Sequence, residues 1–101
     1  MAPPPESAAR WRLPQGQRLL FEDLDDGIVM FDALVGSTHL LSVTAAETLG
    51  IVVETPGLTA PEIHRRLLAR TAIDDSALPF AALDELLWQL ENLNLIAAGP
   101  P

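Results

Sequence analysis

Two histidines supply all the imidazole groups of this chain, and imidazole is the side chain best suited to proton transfer and metal binding near neutral pH. His39 falls on a predicted strand and His64 on a predicted helix. Neither stands at a spacing from a carboxylate and a hydroxyl that identifies a catalytic triad. The chain has no cysteine, and so no thiolate nucleophile or cysteine-ligated zinc. The sequence therefore predicts no catalytic residue, no metal site, no cofactor and no enzymatic activity.

The densest group of charges is the acidic run from Glu22 to Gly27. A calcium-binding EF-hand loop needs glycine at its sixth position and glutamate at its twelfth. Counted from Asp23, those positions hold Ile28 and Leu34. We therefore interpret the run as a solvated hairpin turn, for which Asp-Gly is a strong signal.

The overall charge limits the classes of partner. The 101 residues include 14 acids and six cations, all arginine, which give a formal net charge of -8. Such a surface disfavours binding to nucleic acid phosphates and to anionic membranes. The first residues have neither the apolar segment nor the basic stretch of a signal peptide, so we expect none, and no apolar run is long enough to span a bilayer. We expect a cytoplasmic protein that binds neither nucleic acid nor membrane.

Hydrophobic patterning predicts one α+β domain. Short apolar segments rich in β-formers predict three strands in an antiparallel meander, at 18–22, 28–31 and 38–41. Three helices are predicted to follow, at about 43–54, from 59 onward and at about 78–93. The domain is predicted to cover residues 18–96. An extended N-terminal tail, 1–17, would be anchored by Trp11, and 97–101 would form a C-terminal tail.

Capping signals set the predicted helix ends. Ser42 and Thr44 are both candidate N-caps of the first helix, and Thr44 begins a possible capping box. A second capping box begins at Thr59, with proline in the first turn. Asn94 is predicted to end the third helix in a left-handed conformation, and Leu95 and Ile96 would then fold back onto the core.

Four segments in this order and spacing resemble the PqqD-like peptide chaperones, also called recognition elements of ribosomally made, modified peptides. They are Gly36–Leu41, Thr44–Leu49, Leu58–Ile63 and Leu86–Ile96. The variant that the chain resembles most is the PqqD family protein of the HPr-rel-A system, which has a similar tryptophan-containing segment, here Trp11–Pro14.

The resemblance implies a winged-helix-like domain with three antiparallel strands followed by three helices. It implies that the domain binds a precursor (leader) peptide as an added strand and presents it to a modifying enzyme. The implied pairing strand is Thr38, His39, Leu40 and Leu41, and the implied cleft wall on the third helix is Leu83, Leu87 and Leu90. The implied modifying enzyme is kinase-like, nucleotidyltransferase-like or a radical enzyme.

The residues themselves agree with this interpretation in two places. The third predicted strand is an edge if the second strand is central, and an edge offers unpaired backbone groups for strand addition. The apolar stripe of the third helix is wider than one neighbouring helix needs. The same leucines are also expected in a core, and either Leu40 or Leu41 must point inward. Trp88 lies outside the stripe and is either a partner anchor or a cover for the first strand or the tail.

Three alternatives remain open at this point. The first is a coenzyme PQQ biosynthesis protein D-type role, in which the peptide is delivered to a radical enzyme. The second is a winged-helix DNA-binding regulator that uses Arg65, Arg66 and Arg70, although the third helix carries acids and no cation. The third is a structural subunit that dimerises through its edge strand. The expected state is a monomer or a weak homodimer.

Overall fold

Six strands and three helices make up the part of the chain that the computed structural model describes, residues 9–25, 27–72 and 74–99. The strands in this described part are β1 (Arg10–Arg12), β2 (Leu19–Leu24), β3 (Gly27–Asp32), β4 (Ser37–Leu41), β5 (Leu58–Thr59) and β6 (Ala97–Gly99). The helices are α1 (Val43–Glu54), α2 (Ala60–Thr71) and α3 (Phe80–Asn92). The predicted α+β class, with a three-stranded antiparallel sheet and three helices, is confirmed. The order differs from strands followed by helices, because β5 precedes α2 and β6 follows α3.

The predicted meander is formed by β2, β3 and β4, with β3 in the centre. Leu20 lies opposite Phe31 in the first pair, and Met30 lies opposite His39 in the second. The turn from β3 to β4 closes with a hydrogen bond from the Gly36 N–H to the Asp32 carbonyl at 2.7 Å. Gly36 has a φ of 83°, a left-handed conformation that glycine adopts without a steric penalty. The central position of β3 leaves β4 at an edge of the sheet.

A second small sheet was not predicted from the sequence. Its strand order is β5-β1-β6, and Arg10 lies opposite Thr59 on one side and Gly99 on the other. Residues 10–12 and 97–99, which the sequence placed in tails, therefore pair with each other as strands. Trp11 is fully buried at the centre of this sheet, as expected of an anchor. The apolar patterns are too short here to predict strands, since β5 has two residues and β1 and β6 have three each.

The first two helices begin at their predicted caps. Ser42, rather than Thr44, caps α1, because its hydroxyl oxygen accepts from the Ala45 N–H at 3.2 Å. At α2 the N–H of Thr59 donates to Glu62 Oε1 at 2.9 Å, which forms part of the predicted capping box.

The end of α3 is a left-handed stop at Asn94, as predicted. Asn94 has a φ of 61°, and its N–H donates to the Glu91 carbonyl at 2.9 Å. The N–H of Leu95 donates to the Leu90 carbonyl at 3.1 Å, which completes a Schellman motif. Leu95 and Ile96 are buried, so the chain folds back onto the core after the helix as expected.

The core lies where the three helices meet the inner face of the meander and Trp11. The largest fully buried side chains include Trp11, Met30, Leu49, Ile63, Leu67, Leu83, Leu87 and Leu95. Within the described ranges, no helix is both long and apolar enough to cross a membrane.

Candidate functional site

The free edge of β4 presents the backbone groups of two residues. The Ala33 N–H donates to the Arg18 carbonyl, and hydrogen-bonded pairs alternate from there along β2 and β3. The N–H and C=O groups of Ile28, Met30 and Asp32 therefore turn toward β4. Their partners in β4 are Leu41, His39 and Ser37. Consequently the N–H and C=O groups of Thr38 and Leu40 point away from the sheet.

The side chains of β4 alternate between the two faces of the meander. Thr38 and Leu40 lie on the outer face, where 70% of Leu40 is exposed. His39 and Leu41 lie on the inner face and are partly buried. Leu41 packs against the core, so the structure assigns the inward position to Leu41 and the outward one to Leu40.

Exposed apolar side chains continue across the outer face of the meander. These side chains are Leu20, Leu24, Phe31 and Leu40. Phe31 is opposite Leu20 on one side and Thr38 on the other, so the group extends from one edge of the sheet to the other. An apolar surface beside free backbone groups is the combination that strand addition uses.

His39 sits between two polar groups on the inner face. Its Nε2 is 3.3 Å from Ser37 Oγ and 4.0 Å from Asp32 Oδ2. These are the residue types of a catalytic triad, which the sequence did not bring together. Both contacts involve the same ring nitrogen, however, whereas a triad uses one nitrogen for the hydroxyl and the other for the carboxylate. This arrangement therefore does not form the proton relay of a triad.

Asp32 is the buried carboxylate beneath the start of β4, with 1% of its surface exposed. Its Oδ1 accepts from the Gln17 side-chain amide at 2.8 Å and from the N–H groups of Leu34 and Val35, both at 3.1 Å. Burial by itself would raise the pKa of Asp32. The three hydrogen bonds, with a smaller contribution from nearby His39, outweigh burial and hold the pKa below its ordinary value. Asp32 is therefore a structural carboxylate that fixes the β3–β4 turn.

Gln17 links the same site to the end of α3. Its side-chain amide donates to Asp32 Oδ1 and to the Asn94 carbonyl at 3.3 Å. The C-terminal end of α3 therefore lies beside the turn that leads into β4. Sequence reasoning missed Gln17 and Asp32, because only the tertiary fold brings them together.

The three leucines predicted for the cleft wall lie in the core. Leu83 and Leu87 are fully buried, and Leu90 is 3% exposed. They therefore contact the protein interior and present almost no surface to a ligand in this conformation. Surface apolar groups on the same helix are Leu93 at its C-cap, 51% exposed, and the partly buried Leu86. Leu86 and Leu93 are therefore the leucines of this helix and its C-cap that keep exposed surface.

Trp88 packs on the anchor of the N-terminal strand. Its ring meets Trp11 edge to face, with centroids 4.8 Å apart and planes at 75°. Such pairs stabilise a fold beyond simple burial. Trp88 therefore covers Trp11 of β1, and its side chain is partly buried.

The arginines of α2 are divided between two environments. Arg70 is paired, because its Nη2 donates to Glu54 Oε2 at 2.6 Å and its Nη1 is 3.5 Å from Glu47 Oε2. Arg65 and Arg66 are exposed on the same helix. Within the described ranges, no three histidine or acidic side chains converge as a metal site.

Comparison with known proteins gave no match: no family model fits the chain, and no curated protein or solved structure is similar enough to be counted.

Proposed function

We propose that this protein is a non-enzymatic adaptor that binds an extended precursor peptide on β4 and presents it to a modifying enzyme. The observation that carries the proposal is the outward direction of the N–H and C=O groups of Thr38 and Leu40. A peptide strand that pairs with these groups extends the meander to four strands. Backbone pairing of this kind gives affinity with little dependence on sequence.

Sequence preference would come from the side chains on either side of the edge. On the outer face, alternate residues of the peptide lie beside Leu40, which extends the apolar group that includes Phe31. On the inner face, the neighbouring residues approach His39 and Leu41. The proposed peptide is therefore apolar at alternate positions.

The hydrogen bonds beneath β4 favour binding because they already restrict the motion of this strand before a ligand arrives. Asp32 fixes the β3–β4 turn through three hydrogen bonds, and Gln17 connects this turn to the end of α3. A preorganised strand loses less conformational entropy on binding than a mobile one. In this proposal Leu83, Leu87 and Leu90 hold α3 in place from the core side, and Leu86 and Leu93 contact the peptide.

The partner enzyme and the setting are proposed from the resemblance alone. The enzyme belongs to the kinase-like, nucleotidyltransferase-like or radical class, and the protein acts in the cytoplasm, where ribosomally made peptides first meet such enzymes.

The experiment is an amide NMR titration of the labelled protein with the short peptides encoded beside its gene. The expected result is a set of shift changes at residues 38–41 and at Leu86 and Leu93 that persist as salt rises. If no peptide moves these signals, the adaptor role is wrong. If DNA instead moves signals around Arg65 and Arg66 and salt abolishes the effect, the regulator is the correct alternative.

A further inference from the structure

The meander has a second free edge, at β2. Because Leu20, Glu22 and Leu24 form the hydrogen-bonded pairs with β3, the N–H and C=O groups of Phe21 and Asp23 point away from the sheet. No other described residue accepts from or donates to these groups. This edge is the opposite side of the sheet from β4, and its chemistry is independent of the adaptor proposed above.

A groove runs beside this edge on the inner face of the sheet. It has a volume of about 210 Å³ and lies between the meander and the helices α1 and α2. Its lining is Phe21, Asp23, Ile28, Ala46, Glu47, Gly50 and Arg70. The side chains of Phe21 and Asp23 face the groove while their backbone groups face the open edge. A strand added to β2 would therefore place every second side chain over the groove.

The groove has an apolar floor and a net negative rim. Phe21, Ile28 and Ala46 supply the floor. Arg70 is the one cation among the described lining residues, and it is already held by Glu54 and Glu47. Its hydrogen bond to Glu54 raises the pKa of the guanidinium. Two carboxylates, those of Glu47 and Glu54, thus hold this guanidinium, and Asp23 adds a further negative charge to the lining. The strands β2, β3 and β4 contain no arginine or lysine at all.

We propose that the β2 edge binds an extended segment of another polypeptide in which basic residues alternate with apolar ones. The long stem of a lysine or arginine fits along the apolar floor, and its charged end reaches Asp23 and Glu47 on the rim. The apolar residues between the basic ones point to the outer face, where they extend the exposed surface of Leu20 and Leu24.

A second copy of this chain fits the edge poorly. Pairing β2 with another β2 brings the exposed acids Glu22, Asp23 and Asp25 of one copy toward those of the other. Like charges across neighbouring strands are destabilising, and each copy carries a net charge of -8. Acidic side chains also protect edge strands from aggregation. If the acids served only to protect the edge from aggregation, however, no groove for side chains would be needed beside the strand.

The test uses a short synthetic peptide that alternates lysine with valine, titrated into the labelled full-length protein. Two control peptides are a version with glutamate in place of lysine and one of unchanged composition with the lysines grouped at one end. The alternating lysine peptide is expected to shift the amides of Phe21, Asp23 and Gly50 and to bind at least about tenfold more tightly than either control.

Gly50 provides a matched pair of variants. A β-carbon at this position lies 3.5 Å from Arg70 Nη1, an ordinary contact, so Gly50→Ala fits and raises helix propensity. Gly50→Leu fills the groove. We expect Gly50→Ala to keep affinity within about twofold and Gly50→Leu to lose about tenfold. Asp23→Lys should reverse the preference in favour of the glutamate peptide.

Three results would overturn the proposal. The first is equal binding of the alternating and grouped lysine peptides, which indicates non-specific charge attraction. The second is a set of shift changes confined to Thr38 and Leu40, which places the peptide on the other edge. The third is a peptide-free dimer in sedimentation that Asp23→Lys alters, which assigns the edge to a second copy. None of these results contradicts the binding of precursor peptides to β4, and the second would show that the β4 edge can pair with a peptide.

Discussion

Gln17 donates its side-chain amide to Asp32 Oδ1 at 2.8 Å, across 15 positions of sequence, and both side chains are buried. The Gln17 amide oxygen accepts from the N–H groups of Arg18 and Leu34, at 2.9 Å and 3.1 Å. Together with the bond to the Asn94 carbonyl, these contacts join the start of β2, the β3–β4 turn and the end of α3. This polar cluster therefore ties the turn that leads into β4 to the start of β2 and to the end of α3.

Asp32→Asn should weaken the fold and reduce its sensitivity to acid. The folded pKa of Asp32 lies below its unfolded value. The stabilisation from the carboxylate is therefore complete above the ordinary pKa of an aspartate and is lost as the pH falls through the folded pKa. We expect the variant to lose about 1–3 kcal/mol of unfolding free energy at neutral pH. Urea unfolding, measured from neutral pH into the acid range, should show a smaller fall in unfolding free energy for the variant than for the wild type.

The matched control for this substitution is Asp25→Asn, which removes the same charge from the exposed turn after β2. Asp25→Asn should keep the wild-type fall in unfolding free energy at acid pH. If the unfolding free energies of Asp32→Asn and the wild type differ by the same amount across the acid range, the buried carboxylate does not govern acid stability.

Leu40→Pro should impair peptide binding while the domain stays folded. Proline removes the N–H that points to the open edge, and edge strands tolerate proline at such positions. We expect binding of the precursor peptide to weaken about tenfold, with the NMR spectrum otherwise preserved. The control is His39→Pro, which removes an N–H bonded to β3 and should cost about 2 kcal/mol of stability. A folded Leu40→Pro variant with unchanged affinity would contradict pairing through this group.

The meander and the helices could be predicted because their signals are local. Short apolar segments rich in β-formers marked β2, β3 and β4, and Ser42, Thr59 and Asn94 marked helix ends through contacts within a few residues of each cap. Each of these signals involves residues that are close together in the sequence, so the local sequence is enough to predict the element.

The second sheet and the details of the site depend on long-range contacts and could not be predicted in this way. Arg10 pairs with Gly99 across nearly the whole chain. The stripe on α3 was correctly apolar, but periodicity does not reveal which part another element covers, and Leu83 and Leu87 proved fully buried. The free edge of β4 followed from the order of strands, whereas the groove beside β2 requires Arg70 and Gly50 from two different helices.

Trp88→Phe should be tolerated far better than Trp88→Ala. The indole nitrogens of Trp11 and Trp88 are buried without a hydrogen-bond partner among the described residues. Phenylalanine therefore loses no hydrogen bond and keeps an aromatic edge near Trp11, at a cost below about 1.5 kcal/mol. Alanine leaves a cavity and should cost about 3 kcal/mol. Urea unfolding followed by far-UV circular dichroism measures both, and equal losses would indicate that the indole N–H has a partner.

Ala72→Gly should stabilise the protein, because Ala72 ends α2 in a left-handed conformation with a φ of 57°. This conformation costs a residue with a β-carbon about 1–2 kcal/mol. Glycine avoids that penalty but adds about 0.4–1 kcal/mol of unfolded-state entropy. The expected net gain is about 0.5–1 kcal/mol, measured by urea unfolding.

The control is Gly36→Ala, where φ is 83° and the added β-carbon meets no atom within 4 Å. It should destabilise through backbone conformation alone. Because the two substitutions exchange the same residues at left-handed positions, changes of the same sign would show that backbone conformation does not determine their effect.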